Sequence, residues 1–231
     1  MNKVRLVVFD IAGTTLLDGG NVAIAFSEAM REHGYVIAQE EVNPLMGYQK
    51  PLAIKMLLEK YEQDPATITE TLIGDIHTRF VTLMIAYYKT GVGVEPLPGV
   101  EKVFSYLQDK GIRIGLDTGF SRDIAQAILD RLGWVREGKV NYIVASDEVP
   151  SGRPAPFMIQ KMMQEAGISD PLQVVKIGDT EVDINEGRNA GCLLSIGVTT
   201  GAFTREELER YHPTHIIDHL EELIPILESV N

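Results

Sequence analysis

The chain has 231 residues, 45% of them hydrophobic, enough for a sizeable core or for one core with a smaller appendage. Its formal net charge of −12 excludes a general affinity for nucleic acid or anionic membranes by simple repulsion, while a local site can still accept an anion. Cys192 is alone, so no intramolecular disulfide forms, and the N-terminal apolar run is too short for a signal peptide or a membrane span. The expectation is a soluble cytoplasmic protein.

The first element is "VRLVVF", an apolar run that ends abruptly in Asp10 and continues as "DIAGTTL". A strand covered on both faces reads this way. From about Asn21 to Tyr88 the pattern turns helical throughout, in "VAIAFSEAMREHG", "PLAIKMLLEKY" and "ITETLIGDIHTRFVTLMIAYY". "KTGVGVEPLPG", rich in Gly and Pro, reads as a return linker. Strands and helices then alternate. The runs "IRIGL", "YIVAS", "VVKIG" and "LLSIGV" are separated by helical segments with Ser121 as an N-cap and Gly111, Gly133, Gly167 and Gly191 as stops. This predicts an α/β fold, a doubly wound parallel sheet of Rossmann-like type, with an all-helical domain inserted after the first strand. The predicted boundaries are 1–17 and 96–231 for the core and 18–95 for the insert.

Ligands of open α/β sheets sit beyond the carboxyl ends of the strands. The residues there are Asp10, then Asp117 and Thr118, then Asp147 and Glu148, then Asp179 and Asp183, with Arg153 in the loop "PSGRPAP". If the sheet order sets their strands side by side, Asp10, Asp179 and Asp183 meet as a hard-oxygen cluster suited to Mg²⁺. Two other groupings read as structural. "HPTHIIDH" runs from loop through strand into helix, so its histidines diverge, and the methionines of "MIQKMM" fill core.

"DIAGTT", "GRPAP" and "GDTEVD", in this order and at strand ends, resemble the motifs of the haloacid dehalogenase superfamily of phosphoryl-transfer hydrolases, and the helical insert resembles that superfamily's cap domain. Within it the chain is most similar to phosphonatase and the phosphonatase-like hydrolases. Ala12 stands where most members have a second Asp, Arg153 where most have Lys, and "MGYQK" resembles the segment whose lysine forms a Schiff base. "LGW" and "TTGAFTREELE" look more like the phosphonatase-like group.

The resemblance implies that Asp10 attacks phosphorus and forms an aspartyl-phosphate, with Mg²⁺ held by the side chains of Asp10 and Asp179, the carbonyl of Ala12, and Asp183 directly or through a neighbour. Arg153 offers a planar fork to phosphoryl oxygens, and Asp117, Thr118 and Gly119 lie where substrate binds. Lys50 would be the cap amine. Ala12 removes the acid that protonates a leaving alkoxide in related phosphatases, and an enamine leaving group formed through Lys50 needs no such acid. There are departures. Ala53 and Phe120 replace a His and a Tyr of phosphonatase, Gly20 stands near its Cys, and Asp117 occupies a place usually given to Ser or Thr.

The implied substrate is a small phosphorylated or phosphonate metabolite, cleaved at C–P or P–O, with a general phosphatase of the phosphoglycolate type as the alternative. A homodimer through the cap is a further implication. A phosphorylatable receiver disagrees with the insert and with a nucleophile on the first strand. A dinucleotide-binding protein disagrees with the missing Gly-x-Gly-x-x-Gly.

Overall fold

The computed structural model describes residues 4–230. Six parallel strands lie in the order β3-β2-β1-β4-β5-β6, with β1 Leu6–Asp10, β2 Arg113–Thr118, β3 Tyr142–Ala145, β4 Val174–Gly178, β5 Leu194–Val198 and β6 His215–Ile217. Every residue of β1 is buried, which is why its sequence shows no alternation. The chain steps from β1 to β2 and β3 on one side, then returns across to β4, β5 and β6 on the other. That reversal places β1 at the switch point of the sheet, where a crevice opens beyond the strand ends. Asp10 pairs in register with Asp117, and Phe9 with Ile177, so Asp179 emerges two residues past that pairing.

Helices α1 Asn21–Glu32, α2 Gln39–Val42, α3 Lys50–Tyr61 and α4 Glu70–Thr90 occupy the chain after β1, with no strand among them. After α5 Val100–Asp109 come α6 Arg122–Leu132, α7 Phe157–Glu165, α8 Glu181–Asn189, α9 Arg205–Glu209 and α10 Leu223–Val230, interleaved with the later strands. The helical insert shares its apolar core with the sheet. Phe80 of α4 lies 6.2 Å from the Phe120 ring, and Tyr88 lies 6.1 Å from it. These contacts seat α4 over the loop that follows β2.

Two local expectations change in the structure. Ser121 is the N-cap residue of α6, but its hydroxyl makes no capping bond. The Arg122 N–H donates to the Asp147 carboxylate at 2.9 Å, so an acid from the neighbouring strand end does the capping. Glu148 likewise turns back to accept the Ala145 N–H at 2.8 Å, which assigns both acids after β3 to local structure. Of "HPTHIIDH", His215 begins the short edge strand β6, and among the described residues none of its histidines joins a metal-ligating group. Met158 and Met162 are fully buried core residues.

Candidate active site

The turn after β1 is built from its own backbone. The Thr15 and Leu16 N–H groups donate to the Ile11 carbonyl at 2.9 and 2.8 Å, and the Gly13 N–H donates to the Leu16 carbonyl at 2.9 Å. The two threonine hydroxyls then divide their work. Thr15 Oγ1 donates to the Asp10 carbonyl at 3.0 Å and locks the strand end, while Thr14 Oγ1 donates to Asp179 Oδ1 at 3.1 Å and joins this turn to the β4 loop. Gly13 has φ +90°, and a Cβ there would lie 2.7 Å from Asp179 Oδ2, so the close approach requires glycine on both counts.

Asp10 lines a cleft of about 230 Å³ between the strand ends and the helical insert, together with Ala12, Lys50, Thr118, Gly119 and Asp179. Its carboxylate accepts from Arg153 Nη1 at 2.6 Å. Burial raises its pKa to about 6, against the pull of Arg153 and with added repulsion from Asp183. Thr118 Oγ1 accepts the Phe120 N–H at 3.1 Å, fixing the loop at the cleft wall.

Arg153 and Asp117 are placed behind Asp10 and outside the cleft lining. The Arg153 guanidinium is enclosed by carboxylates. It meets Asp10 at 2.6 Å, Asp183 at 3.0 Å and Glu186 at 3.3 Å, and it bonds Asp117. Lys176, inside β4, meets Asp183 at 3.1 Å and Glu186 at 3.2 Å and also bonds Asp117. Burial alone would raise Asp117, but Arg153 and Lys176 outweigh it and hold that carboxyl below its usual range. Glu186 goes the other way, raised well above the carboxylate range by burial and by Asp117. Four carboxylates thus share two cations, and the surplus negative charge is felt at Asp10 and Glu186.

Lys176 and Glu186 were not singled out by sequence reasoning. The signal was present in "VVKIG", because a lysine within a strand buried on both faces must be paired. No comparable signal marks Glu186, whose partner lies on another element.

The donor set fits a hard divalent cation at one place. Asp179 is 3% exposed and receives hydrogen bonds from Thr14 and from the Ala202 N–H at 2.7 Å, yet it has no ion-pair partner among the described residues. Burial, with the Asp10 and Asp183 charges, raises its pKa well above the usual range. A buried carboxylate with no ion-pair partner, lining the same cleft as Asp10, is suited to hold a cation. Oxygens of Asp10, Asp117 and Asp183 also come within 4.8 Å of one another, but Arg153 and Lys176 already fill that interior. Both Asp183 oxygens are engaged. Oδ2 accepts from the Thr180 N–H at 3.2 Å and bonds the Thr180 hydroxyl, and Oδ1 faces Arg153 and Lys176.

Lys50, at the start of α3, is 3% exposed and is the lone Lys or Arg lining the cleft among the described residues. Its Nζ donates to the Tyr48 carbonyl at 3.2 Å and lies 5.4 Å from the centre of the Phe120 ring. Burial lowers its pKa to about 8, although the Asp10 charge pulls the other way.

A parallel sheet that presents a carboxylate at the tip of an inner strand, beneath a helical insert, is a doubly wound Rossmann-like architecture with its site at the switch point. The chain belongs to the haloacid dehalogenase-like hydrolases, whose family profile matches residues 4–191. It is 31% identical over 234 residues to phosphonoacetaldehyde hydrolase of Bacillus cereus, covering 95% of this chain and 86% of that protein. Among solved structures, a hydrolase from Pseudomonas syringae superposes with a TM-score of 0.85 at 20% identity, covering 99% of both chains. A phosphonoacetaldehyde hydrolase-like protein from Oleispira antarctica gives 0.82 at 23% identity, covering 98% of this chain and 92% of the other. No helix among the described residues is long and apolar enough to cross a membrane.

Proposed function

We propose that this protein is an Mg²⁺-dependent hydrolase of the phosphonatase-like kind, acting on a small phosphonate or phosphorylated metabolite in the cytoplasm, with a homodimer formed through its helical insert. The observation that carries this reading is the pairing of Asp10 with a buried amine, Lys50, in one small cleft. The relatives named above as phosphonoacetaldehyde hydrolases support it.

In this reading Asp10 and Asp179 would hold Mg²⁺ through their side chains, and Ala12 through its carbonyl. The metal supplies positive charge that makes an anionic phosphoryl group approachable by a carboxylate. Lys50, neutral over part of the physiological range, adds to the substrate carbonyl and loses water to give an iminium. Asp10 then attacks phosphorus, and the electron pair of the breaking C–P bond moves into the iminium to give an enamine. Water releases phosphate from Asp10, and the enamine is protonated and hydrolysed, freeing Lys50. Arg153 holds the Asp10 carboxylate in place, and Thr118 with the Gly119 backbone faces the phosphoryl group. Asp117 serves by holding Arg153, and Asp183 by holding Thr180 in the loop that carries Asp179.

Borohydride trapping with phosphonoacetaldehyde, followed by peptide mapping, tests this. A reduced adduct is expected on Lys50. The amine loses its proton as pH rises, so trapping should climb through pH about 8 and then level, whereas a solvated lysine would keep gaining toward 10.5. Absence of an adduct, together with full activity of Lys50→Ala, would leave the P–O phosphatase. Ala53 favours that second reading, because a fully buried alanine one turn along α3 offers no group to move protons for an imine.

Two further results are expected. Installing an acid by Ala12→Asp should raise phosphate-monoester hydrolysis by ~10²–10⁴-fold, the usual worth of a well-placed proton donor. Equal or lower rates in a folded variant would mean the leaving group is already served. Asp179→Asn should abolish binding of Mg²⁺ measured by thermal unfolding. In the unsubstituted protein, Mg²⁺ at a hundred times its Kd should add about 2.7 kcal/mol of stability, and the variant should show none of it. An unchanged Mg²⁺ response would remove Asp179 from the metal site.

A further inference from the structure

The segment Met46–Lys50 is a part of the helical insert that rests on the strand-end loops, at the wall of the cleft described above. A Cβ on Gly119 would lie 2.5 Å from the carbonyl oxygens of both Gly47 and Tyr48, so the insert rests directly on the backbone after β2. A Cβ on Gly47 would meet Thr180 Oγ1 at 2.5 Å and Val182 Cγ2 at 2.6 Å, so the same segment rests on the start of α8. Gln49 Nε2 donates to the Ser146 carbonyl at 3.5 Å beyond β3. The strongest polar tie is the Tyr48 hydroxyl, which donates to Glu181 Oε1 at 2.6 Å. The Glu181 carboxylate also acts on Tyr211, raising the pKa of that phenol, so it faces the core domain as well as the insert.

The carbonyl of Tyr48 is also the acceptor for Lys50 Nζ. One residue therefore joins the amine to Glu181, its main chain gripping Lys50 and its side chain gripping the carboxylate. We propose that Glu181 is a positioning residue for Lys50, acting through Tyr48 to hold the amine over Asp10. The proposal rests on the reading of Lys50 as the substrate-facing amine, and one arm of its test needs no substrate. A hydroxyl-to-carboxylate bond is charge-assisted and stronger than a neutral one, which suits it to hold a loop in one position.

The test compares Tyr48→Phe, Glu181→Gln, Glu181→Ala and the double variant Tyr48→Phe with Glu181→Ala in the full chain. Reductive methylation with formaldehyde and borohydride is read by mass spectrometry at Lys50 against Lys55, whose side chain is 50% exposed. Tyr48→Phe and Glu181→Ala should each speed labelling of Lys50 about tenfold relative to Lys55, as expected for loss of one such bond. The double variant should go no further than either single, because the two groups act as one unit. Glu181→Gln keeps an acceptor for Tyr48 and should stay near the parent. With phosphonoacetaldehyde, kcat should fall in step with the change at Lys50 while KM moves little.

Unchanged Lys50 labelling in both single variants would overturn the proposal, even if activity falls, since activity alone can fall through a general structural effect. Additive effects in the double variant would overturn it too. Altered Lys50 labelling without any turnover of phosphonoacetaldehyde would support the positioning role and count against the proposed reaction.

Discussion

Asp10→Asn should lose turnover by at least about 10⁴-fold while keeping its fold. Removing a nucleophile deletes the covalent route, and losses of this size or larger follow when such a group is taken from a working site. The fold should survive for a reason visible in the charges. Burial makes the ionised Asp10 side chain costly, and Asp183 and Asp117 repel it, so an amide of the same shape relieves repulsion. The amide oxygen still accepts from Arg153, which keeps its three other carboxylate partners. Thermal unfolding should therefore shift by no more than a few degrees. Near-parental activity in the folded variant would remove Asp10 from the chemistry.

Arg153→Met should cost stability before anything else. It leaves three buried carboxylates facing Lys176 alone and Asp10 without its ion-pair partner. Breaking a buried charge network by deleting one partner costs about 3–5 kcal/mol. For a chain of this size that lowers the melting temperature by roughly 6–20 °C. The sign of the pH dependence follows from Asp117. Its folded pKa is depressed by Arg153 and Lys176, so it adds stability above its ordinary pKa of 3.8 and loses it as pH falls through the folded value. The variant forfeits much of that contribution, so the gap between it and the parent should narrow on acidification. Urea unfolding at neutral pH and at pH below 3.8 measures both effects. A loss under about 1 kcal/mol at neutral pH would mean the cluster does not depend on Arg153.

The sheet was legible because burial on both faces writes itself as largely apolar runs without alternation, and five of the six strands carry such a run. β6 lacks such a run because His215 is exposed at the sheet edge and the strand spans just three residues, but "HPTHIIDH" still read as passing through a strand. The strand-end rule found Asp10, Asp117 and Asp179, and the register of β1 with β2 and β4 explains why they converge. It could not separate residues that face the cleft from those that face inward. Asp117 and Asp183 point into the charge network, and that distinction depends on side-chain direction in a twisted sheet. Lys176 announced itself by its apolar neighbours, but Glu186 and the Tyr48–Glu181 bond arise from elements far apart in the chain. Ser121 shows the same limit at short range, since its capping role is taken by Asp147 from across the strand ends.

In the proposed reaction Asp10 carries the phosphoryl group during turnover. Rapid acid quenching of the enzyme with phosphonoacetaldehyde and Mg²⁺, followed by peptide mass spectrometry, tests it directly. The peptide containing Asp10 should gain the mass of one phosphoryl group, and hydroxylamine should convert that adduct to a hydroxamate at Asp10. Turnover of the same substrate with no acyl-phosphate on Asp10 at any quench time, or with the phosphoryl group on another residue, would contradict the account.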